Sequence, residues 1–522
     1  MTVIIYDTTL RDGAQGEGIS FSLQDRIEIL GELDEFGIDF VECGWPGTNP
    51  MTDELFAAAK KMNLKNTRIT AFGSTRRRDI KAEKDANLNA LIASGAKWAC
   101  IFGKTWDFQV EEVLNTSKEE NLAMIRDSVS YLKKSGMNVM FDAEHFFDGY
   151  ASDPVYALEA LGAAVEAGTE WLVLCETNGG AMPYEVEAAV IAVRKRFKDT
   201  AIGIHCHNDT DLAVANSISA IKAGATMVQG CINGIGERTG NANLCSIIPN
   251  VMLKMGMDTN IKDLTKLTAL SKFVGEVANM APPSSLPYVG ENAFAHKGGT
   301  HVSALMKNTR TYEHVDPSMV GNRRKVLISD LSGRASIIEK LTELGITADK
   351  SDSGLITETV KELESKGYQF EGADASFELL VKRMRGEFEP YFTITGFRLF
   401  IDEEDDKFTS EASIKIKNRD GEIEHTASDG DGPVNALDNA LRKALSKFFP
   451  VIDNIRLSDY KVRVLDEKSA TAASVRVLIR STDGVDSWTT VGVSQNVIEA
   501  SLIALVDSLE YAIMMNDRKA VK

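Results

Sequence analysis

Ile202-Gly203-Ile204-His205-Cys206-His207-Asn208-Asp209 is the stretch from which the rest of the chain is read. It has the composition of a strand, and in a strand the side chains at i and i+2 emerge on one face, so His205 and His207 converge on a point. Roughly two hundred residues earlier, Val3 to Tyr6 reads as a first strand. It runs into Asp7-Thr8-Thr9-Leu10-Arg11-Asp12-Gly13, a polar, turn-forming segment leaving the strand at its carboxyl end. Two imidazoles plus the Asp12 carboxylate make a divalent-metal site inside a barrel. Such a donor set suits Zn, Mn, Fe or Co, and one added amide or water oxygen admits Mg. The bland alternative is a pair of satisfied polar side chains on a wet sheet face. Flanking Asn208, Asp209 and Asp211 argue against burial without a role.

Outward from that strand, similar short runs recur at Val3-Tyr6, Phe40-Cys43, Ile69-Phe72, Trp98-Phe102, Val139-Phe141, Trp171-Cys175 and Met227-Ile232. Amphipathic stretches separate them, among them Ser22-Phe36, Ala82-Ala93, Lys118-Lys133, Pro154-Ala167, Pro183-Phe197 and Leu212-Ala223. Several of these end at a glycine (Gly37, Gly95, Gly136, Gly168, Gly224), the residue that closes a helix in a left-handed turn without steric cost. Eight strand–helix units over about 250 residues predict an α/β fold of the (β/α)8 TIM-barrel type, whose chemistry gathers at the carboxyl ends of the strands. A doubly wound open sheet is the competing arrangement. The polar groups at the expected strand ends are Arg11 and Asp12, Asp142 to His145, Glu176-Thr177-Asn178, the histidine pair, and the glycine-rich Asn233 to Asn243. That last loop is a poor dinucleotide fingerprint, because it follows the final strand and spaces its glycines G-x-G-x-x-x-G.

At 522 residues with 43% hydrophobic content the chain has material for two or three domains. A formal charge of -18 argues against nucleic acid or an anionic membrane as the main partner. The six cysteines show no C-x-x-C pairing and read as small buried hydrophobes in a reducing cytoplasm. The first residues have no basic segment before an apolar one, as a signal peptide would, and no run approaches the ~18 apolar residues of a membrane span.

Composition changes after the barrel. Ala281-Pro282-Pro283-Ser284-Ser285-Leu286-Pro287 is a breaker cluster and a natural hinge. The expected division is a barrel at 1–280, helical linker subdomains at 281–390, and a strand-rich α+β domain at 391–522. In the last, Thr426 to Leu441 aligns with Thr490 to Leu505, each a strand end, a turn and an apolar helix, which predicts a duplicated ββα unit. Arg76-Arg77-Arg78 and Arg323-Arg324-Lys325 are the compact basic triplets. Either suits a polyphosphate ligand, though such runs are more often solvated faces.

Asp7 to Gly13, His205 to Asp209 and Gly234-Ile235-Gly236-Glu237-Arg238-Thr239-Gly240-Asn241 together resemble the isopropylmalate, homocitrate and citramalate synthase family. Ala71 to Arg77, Ile101 to Asp107 and Asp142 to Tyr150 are most similar to its citramalate branch, and the likeness runs along the whole chain. The resemblance implies an acyltransferase that condenses acetyl-CoA with a small 2-oxo acid, pyruvate favoured, using a divalent cation such as Mg, Mn or Zn. It implies Asp12, His205, His207 and Asn241 as metal ligands. Arg11 would contact the keto-acid oxygen, Glu144 and Thr177 would face the 2-oxo acid, and Glu144 or His301 would handle protons. His301 and Tyr312 correspond to family residues that reach an active site, often the partner subunit's. This chain has Val302-Ser303 where a common family pattern has Gln-Asp, so that carboxylate is not carried over. It also has Glu176 where Asp is usual. The C-terminal repeat resembles the family's regulatory domain, implying a homodimer and isoleucine as its ligand. Related lyases of the hydroxymethylglutaryl-CoA type share the barrel and the histidine pair but lack that repeat. A non-catalytic amino-acid sensor would leave Arg11, Asp12, Glu144 and both histidines idle.

Overall fold

A computed structural model describes residues 2–327, 334–346, 350–404, 407–465 and 473–521. The chain divides into two compact units, one of Met1–Phe294 with Val315–Arg323, the other of Ala295–His314 with Arg324–Lys522.

The first unit is a closed barrel of eight parallel strands: β1 (Ile4–Asp7), β2 (Phe40–Gly44), β3 (Arg68–Ser74), β4 (Trp98–Lys104), β5 (Asn138–Glu144), β6 (Trp171–Glu176), β7 (Ala201–Cys206) and β8 (Met227–Gly230). Closure is direct, since β8 pairs with β1 from Ile4 opposite Met227 to Asp7 opposite Gly230. The open-sheet alternative is thereby excluded. Strand alternation sorts the side chains into two cores. Tyr6, Phe40, Phe72, Cys100, Met140, Val173 and Met227 fill the interior. Their sequence neighbours Ile5, Val41, Ala71, Ile101, Phe141, Leu172 and Val228 pack outward with buried helix residues such as Ile29, Leu33, Ile125 and Val190. The helices begin and end as their sequences dictate. Ser22 and Asp25 form a reciprocal capping box ahead of Leu23–Phe36, and Gly37, at φ 101°, turns the chain out of it.

The barrel unit continues past the proline cluster. Tyr288, Val289 and Phe294 are buried in its outer core, and the Tyr288 hydroxyl reaches Asn250 Oδ1 at 2.9 Å.

In the second unit, β9 (Ala295–His296) pairs in parallel with β10 (Lys325–Val326), and helices Gly299–Leu305, Arg334–Glu343, Lys350–Ser365 and Asp374–Met384 follow. Two antiparallel three-stranded sheets come next. The first is β11 (Phe392–Glu404), β12 (Lys407–Asn418) and β13 (Ile423–Gly430) with helix Pro433–Leu445. The second is β14 (Arg456–Val464), β15 (Val475–Thr482) and β16 (Ser487–Ser494) with helix Val497–Val521. The repeat is present, with Thr426 in β13 and Thr490 in β16, but each half has one strand more than the two expected. In β11 and β14 the register shifts, between Ile394 and Gly396 and between Leu457 and Asp459, which interrupts the alternation that marks a strand in sequence. Ile414, Ile416, Leu437, Leu441, Val477, Ile479, Leu505 and Leu509 form a common core for both halves. Among the described residues no helix is long and apolar enough to cross a membrane.

Candidate active site

The carboxyl ends of β1 and β7 bring Asp12, His205 and His207 together, all buried, with their donor atoms within 4.8 Å of one another. His205 Nε2 and His207 Nε2 stand 3.4 Å apart. Asp12 Oδ2 lies 3.7 Å from the first and 3.8 Å from the second. Asp12 stands at the start of the short 3₁₀ turn Gly13–Gln15, which aims its carboxylate back over the barrel. Asn241 joins them through an isolated bridge to His207 and donates Nδ2 to Asp12 Oδ1 at 2.8 Å. Its Oδ1 is buried with no hydrogen-bond partner among the described residues. The loop carrying Asn241 needs its glycine at 236, because a Cβ there, at φ 150°, would fall 2.1 Å from Asn241 Nδ2.

These groups are charged in the way a cation requires. Burial, with His207 alongside, pushes the His205 ring down to about 3, and burial likewise lowers His207, so both rings are neutral and carry lone pairs at ordinary pH. Burial alone would raise Asp12, yet Arg11, the two histidines and the Asn241 amide hold its carboxyl well below the usual carboxylate range. An ionised carboxylate and two neutral imidazoles converging on one point fit a divalent ion held by oxygen and nitrogen.

Arg11 is pinned beside this centre. Its Nη1 donates to Asp12 Oδ2 at 2.9 Å, its Nε to Glu42 Oε2, and its guanidinium lies 3.8 Å above the Phe72 ring centroid. Glu42, fully buried on β2, accepts a second hydrogen bond from the Tyr6 hydroxyl at 2.8 Å. Burial opposes the charge on Arg11, but Glu42 and Asp12 outweigh it and raise its pKa.

The remaining expected residues take separate places. Glu144, at the end of β5, is ion-paired with Lys104 at the end of β4. Thr177 Oγ1 accepts the backbone N–H of His145 at 2.9 Å, and His145 holds the uncommon φ of 56°. Glu176 turns Oε1 to the N–H groups of Gly180 and Ala181, at 3.1 and 3.3 Å, and so fastens the loop after β6. His301 and Tyr312 belong to the second unit, where their rings stack with centroids 4.0 Å apart. His296 faces buried Glu313 at 3.4 Å, as a structural histidine would, and Arg324 pairs with the same carboxylate. Arg76 is taken up by Glu120 and Asp127.

Sequence reasoning missed Glu42, Lys104 and Gln229. Each is a single polar residue on an apolar strand, which was the available signal. Gln229 on β8 faces His205 Nδ1 through Oε1 at 3.0 Å, and its Nε2 lies 3.4 Å from Asp142 Oδ1.

Residues 2–274 match the HMGL-like family, 288–368 the homocitrate synthase post-HMGL domain-like family, and 371–513 the LeuA allosteric (dimerisation) domain. The chain is 53% identical over 524 residues to the (R)-citramalate synthase of Aquifex aeolicus, spanning 99% of each sequence. It is 53% identical to that of Geobacter sulfurreducens, spanning 98% of this chain and 97% of the relative. Its identity to a probable 2-isopropylmalate synthase of Methanopyrus kandleri is 33%, over 97% of each.

Proposed function

The chain belongs to the family of the (R)-citramalate and 2-isopropylmalate synthases, and from that premise we propose that it condenses acetyl-CoA with pyruvate and water to give (R)-citramalate and free CoA. The observation that carries this reading is the convergence of Asp12, His205 and His207 beside Arg11. It occurs in a chain like an (R)-citramalate synthase over 99% of its length.

A divalent cation held by Asp12, His205 and His207, with Asn241 Oδ1 as a further candidate, would act as a Lewis acid on the ketone of the 2-oxo acid. Arg11 keeps a fixed positive charge where the ketone oxygen becomes an alkoxide, and Glu42 and Asp12 hold the guanidinium so that it need not reorganise as that charge develops. In the bond-forming step the acetyl methyl gives up a proton, its carbon adds to C2 of pyruvate, and the alkoxide takes up a proton. Hydrolysis of the thioester then releases CoA and makes the sequence irreversible. Glu144 is the carboxylate we assign to the 2-oxo acid end, with Lys104 orienting it and Thr177 beside the substrate. General acid–base help of this kind is typically worth ~10²–10⁴ in rate. His301 and Tyr312 are proposed to assist proton transfer on the strength of the resemblance.

The match to an allosteric dimerisation domain supports a homodimer, and we propose isoleucine as the ligand of that domain, with (R)-citramalate feeding isoleucine synthesis. Isoleucine that neither inhibited turnover nor shifted thermal stability would refute the sensor role.

Thiol release from acetyl-CoA across a panel of 2-oxo acids tests the substrate. Pyruvate is expected to give the highest kcat/KM. A clear preference for 2-oxoisovalerate or 2-oxoglutarate would reject the assignment, since pocket volume discriminates by only about 1–3 kcal/mol per methylene.

A further inference from the structure

Beneath the barrel mouth lies a polar chain that the reaction does not touch. Gln229 is fully buried, with Oε1 3.0 Å from His205 Nδ1 and Nε2 3.4 Å from Asp142 Oδ1. Cys100 Sγ lies 3.0 Å from the same carboxylate oxygen and 3.8 Å from Gln229 Nε2. A carboxylate oxygen without a hydrogen only accepts, whereas an amide has one accepting and one donating end. Burial raises the Asp142 carboxyl to about 7, but its Oδ1 already accepts the Cys100 thiol and so also takes the amide N–H of Gln229, which leaves Gln229 Oε1 facing the imidazole. That oxygen in turn requires a proton on Nδ1.

A neutral imidazole carries a single ring proton, so this arrangement leaves Nε2 of His205 with its lone pair toward His207 and Asp12. Turned the other way, the amide would offer a donor to Nδ1, move the ring proton to Nε2 and aim it into the centre. His207 has no comparable support, as its buried Nδ1 finds no hydrogen-bond partner among the described residues.

We propose that Gln229, oriented by Asp142, is a positioning residue that fixes the tautomer of His205 and presents Nε2 unprotonated to the Asp12–His205–His207 centre. The inference rests on reading that centre as a metal site, where the second nitrogen of a ligand histidine is commonly held by such a partner.

The test is nitrogen NMR of the full-length, metal-free protein labelled with 15N-histidine, joined to Mn²⁺ binding by calorimetry. His205 is expected to carry its proton on Nδ1. Gln229→Leu is expected to lose that preference and to bind Mn²⁺ roughly 10–100-fold more weakly. Gln229→Glu keeps an accepting oxygen toward Nδ1, with its other oxygen sharing one proton with the buried Asp142 carboxyl, and is expected to preserve both the tautomer and an affinity within a few-fold of the parent. A proton on Nε2 of His205 in the parent would overturn the proposal. So would Gln229→Leu binding Mn²⁺ as tightly as the parent with native circular dichroism. If Gln229→Leu fails to fold, the labelled parent and Gln229→Glu decide. A parent that binds no divalent cation would sink the metal centre itself, a result separate from either tautomer.

Discussion

The Nε2 atoms of His205 and His207 stand 3.4 Å apart, each within 3.8 Å of Asp12 Oδ2. Two imidazole lone pairs and a carboxylate oxygen at that distance would repel one another, and only a positive charge or a ring proton lying among them relieves that repulsion. Arg11 supplies part of that charge from one side of Asp12.

Asp12→Ala removes the carboxylate and is expected to abolish bound metal and to lower turnover by at least ~10² while the protein stays folded. Metal content by mass spectrometry beside a thermal melt checks this. Undiminished metal would take Asp12 out of the coordination set.

Arg11→Lys keeps the charge but cannot reach Asp12 and Glu42 together from a planar fork. A fall of roughly 10²-fold in kcat, with metal content unchanged, is the expected outcome. Parent-like kcat would mean that the guanidinium geometry is not used in the reaction.

Glu42→Ala leaves the half-buried guanidinium with one carboxylate and the Tyr6 hydroxyl without its acceptor. Breaking a buried pair in this way costs about 3–5 kcal/mol. Urea unfolding monitored on the barrel checks it, and an unmoved midpoint would show the pair to be energetically silent.

How much of this was legible beforehand follows from the geometry of strands. His205 and His207 lie two residues apart on one strand, so their convergence is local and can be read from the sequence. Asp12 could be joined to them only because eight units in series imply closure, which sets β1 beside β8. Glu42 and Gln229 escaped because each sits in an apolar run, and only the closed barrel shows which face of that run points inward. Lys104 was visible at the end of its strand, but its partner Glu144 sits across the pairing of β4 with β5. The third strand of each C-terminal half was hidden where a register shift broke the alternation.

Glu510, buried in the last helix, accepts the backbone N–H of Tyr391 through both oxygens, at 3.1 and 3.0 Å. Burial pushes its carboxyl up to about 7, despite that hydrogen bonding and the charges of Arg383 and Arg419. Above the ordinary carboxyl range the unfolded chain releases this proton while the folded chain keeps it, so Glu510 makes stability fall as pH rises from about 4.5 to about 7. Glu510→Gln removes the titrating group. Its stability relative to the parent is expected to rise across that window, by on the order of 3 kcal/mol at most. Parallel melting curves for the two proteins from pH 4.5 to 7.5 would contradict this.

The most direct measurement is CoA release from acetyl-CoA and pyruvate by enzyme stripped with a chelator, before and after Mn²⁺ or Mg²⁺ is restored. Stripping is expected to remove turnover and the added cation to return it, whereas Asp12→Ala is expected not to recover. Full turnover in the stripped parent enzyme would contradict the claim that a cation at Asp12, His205 and His207 drives the condensation.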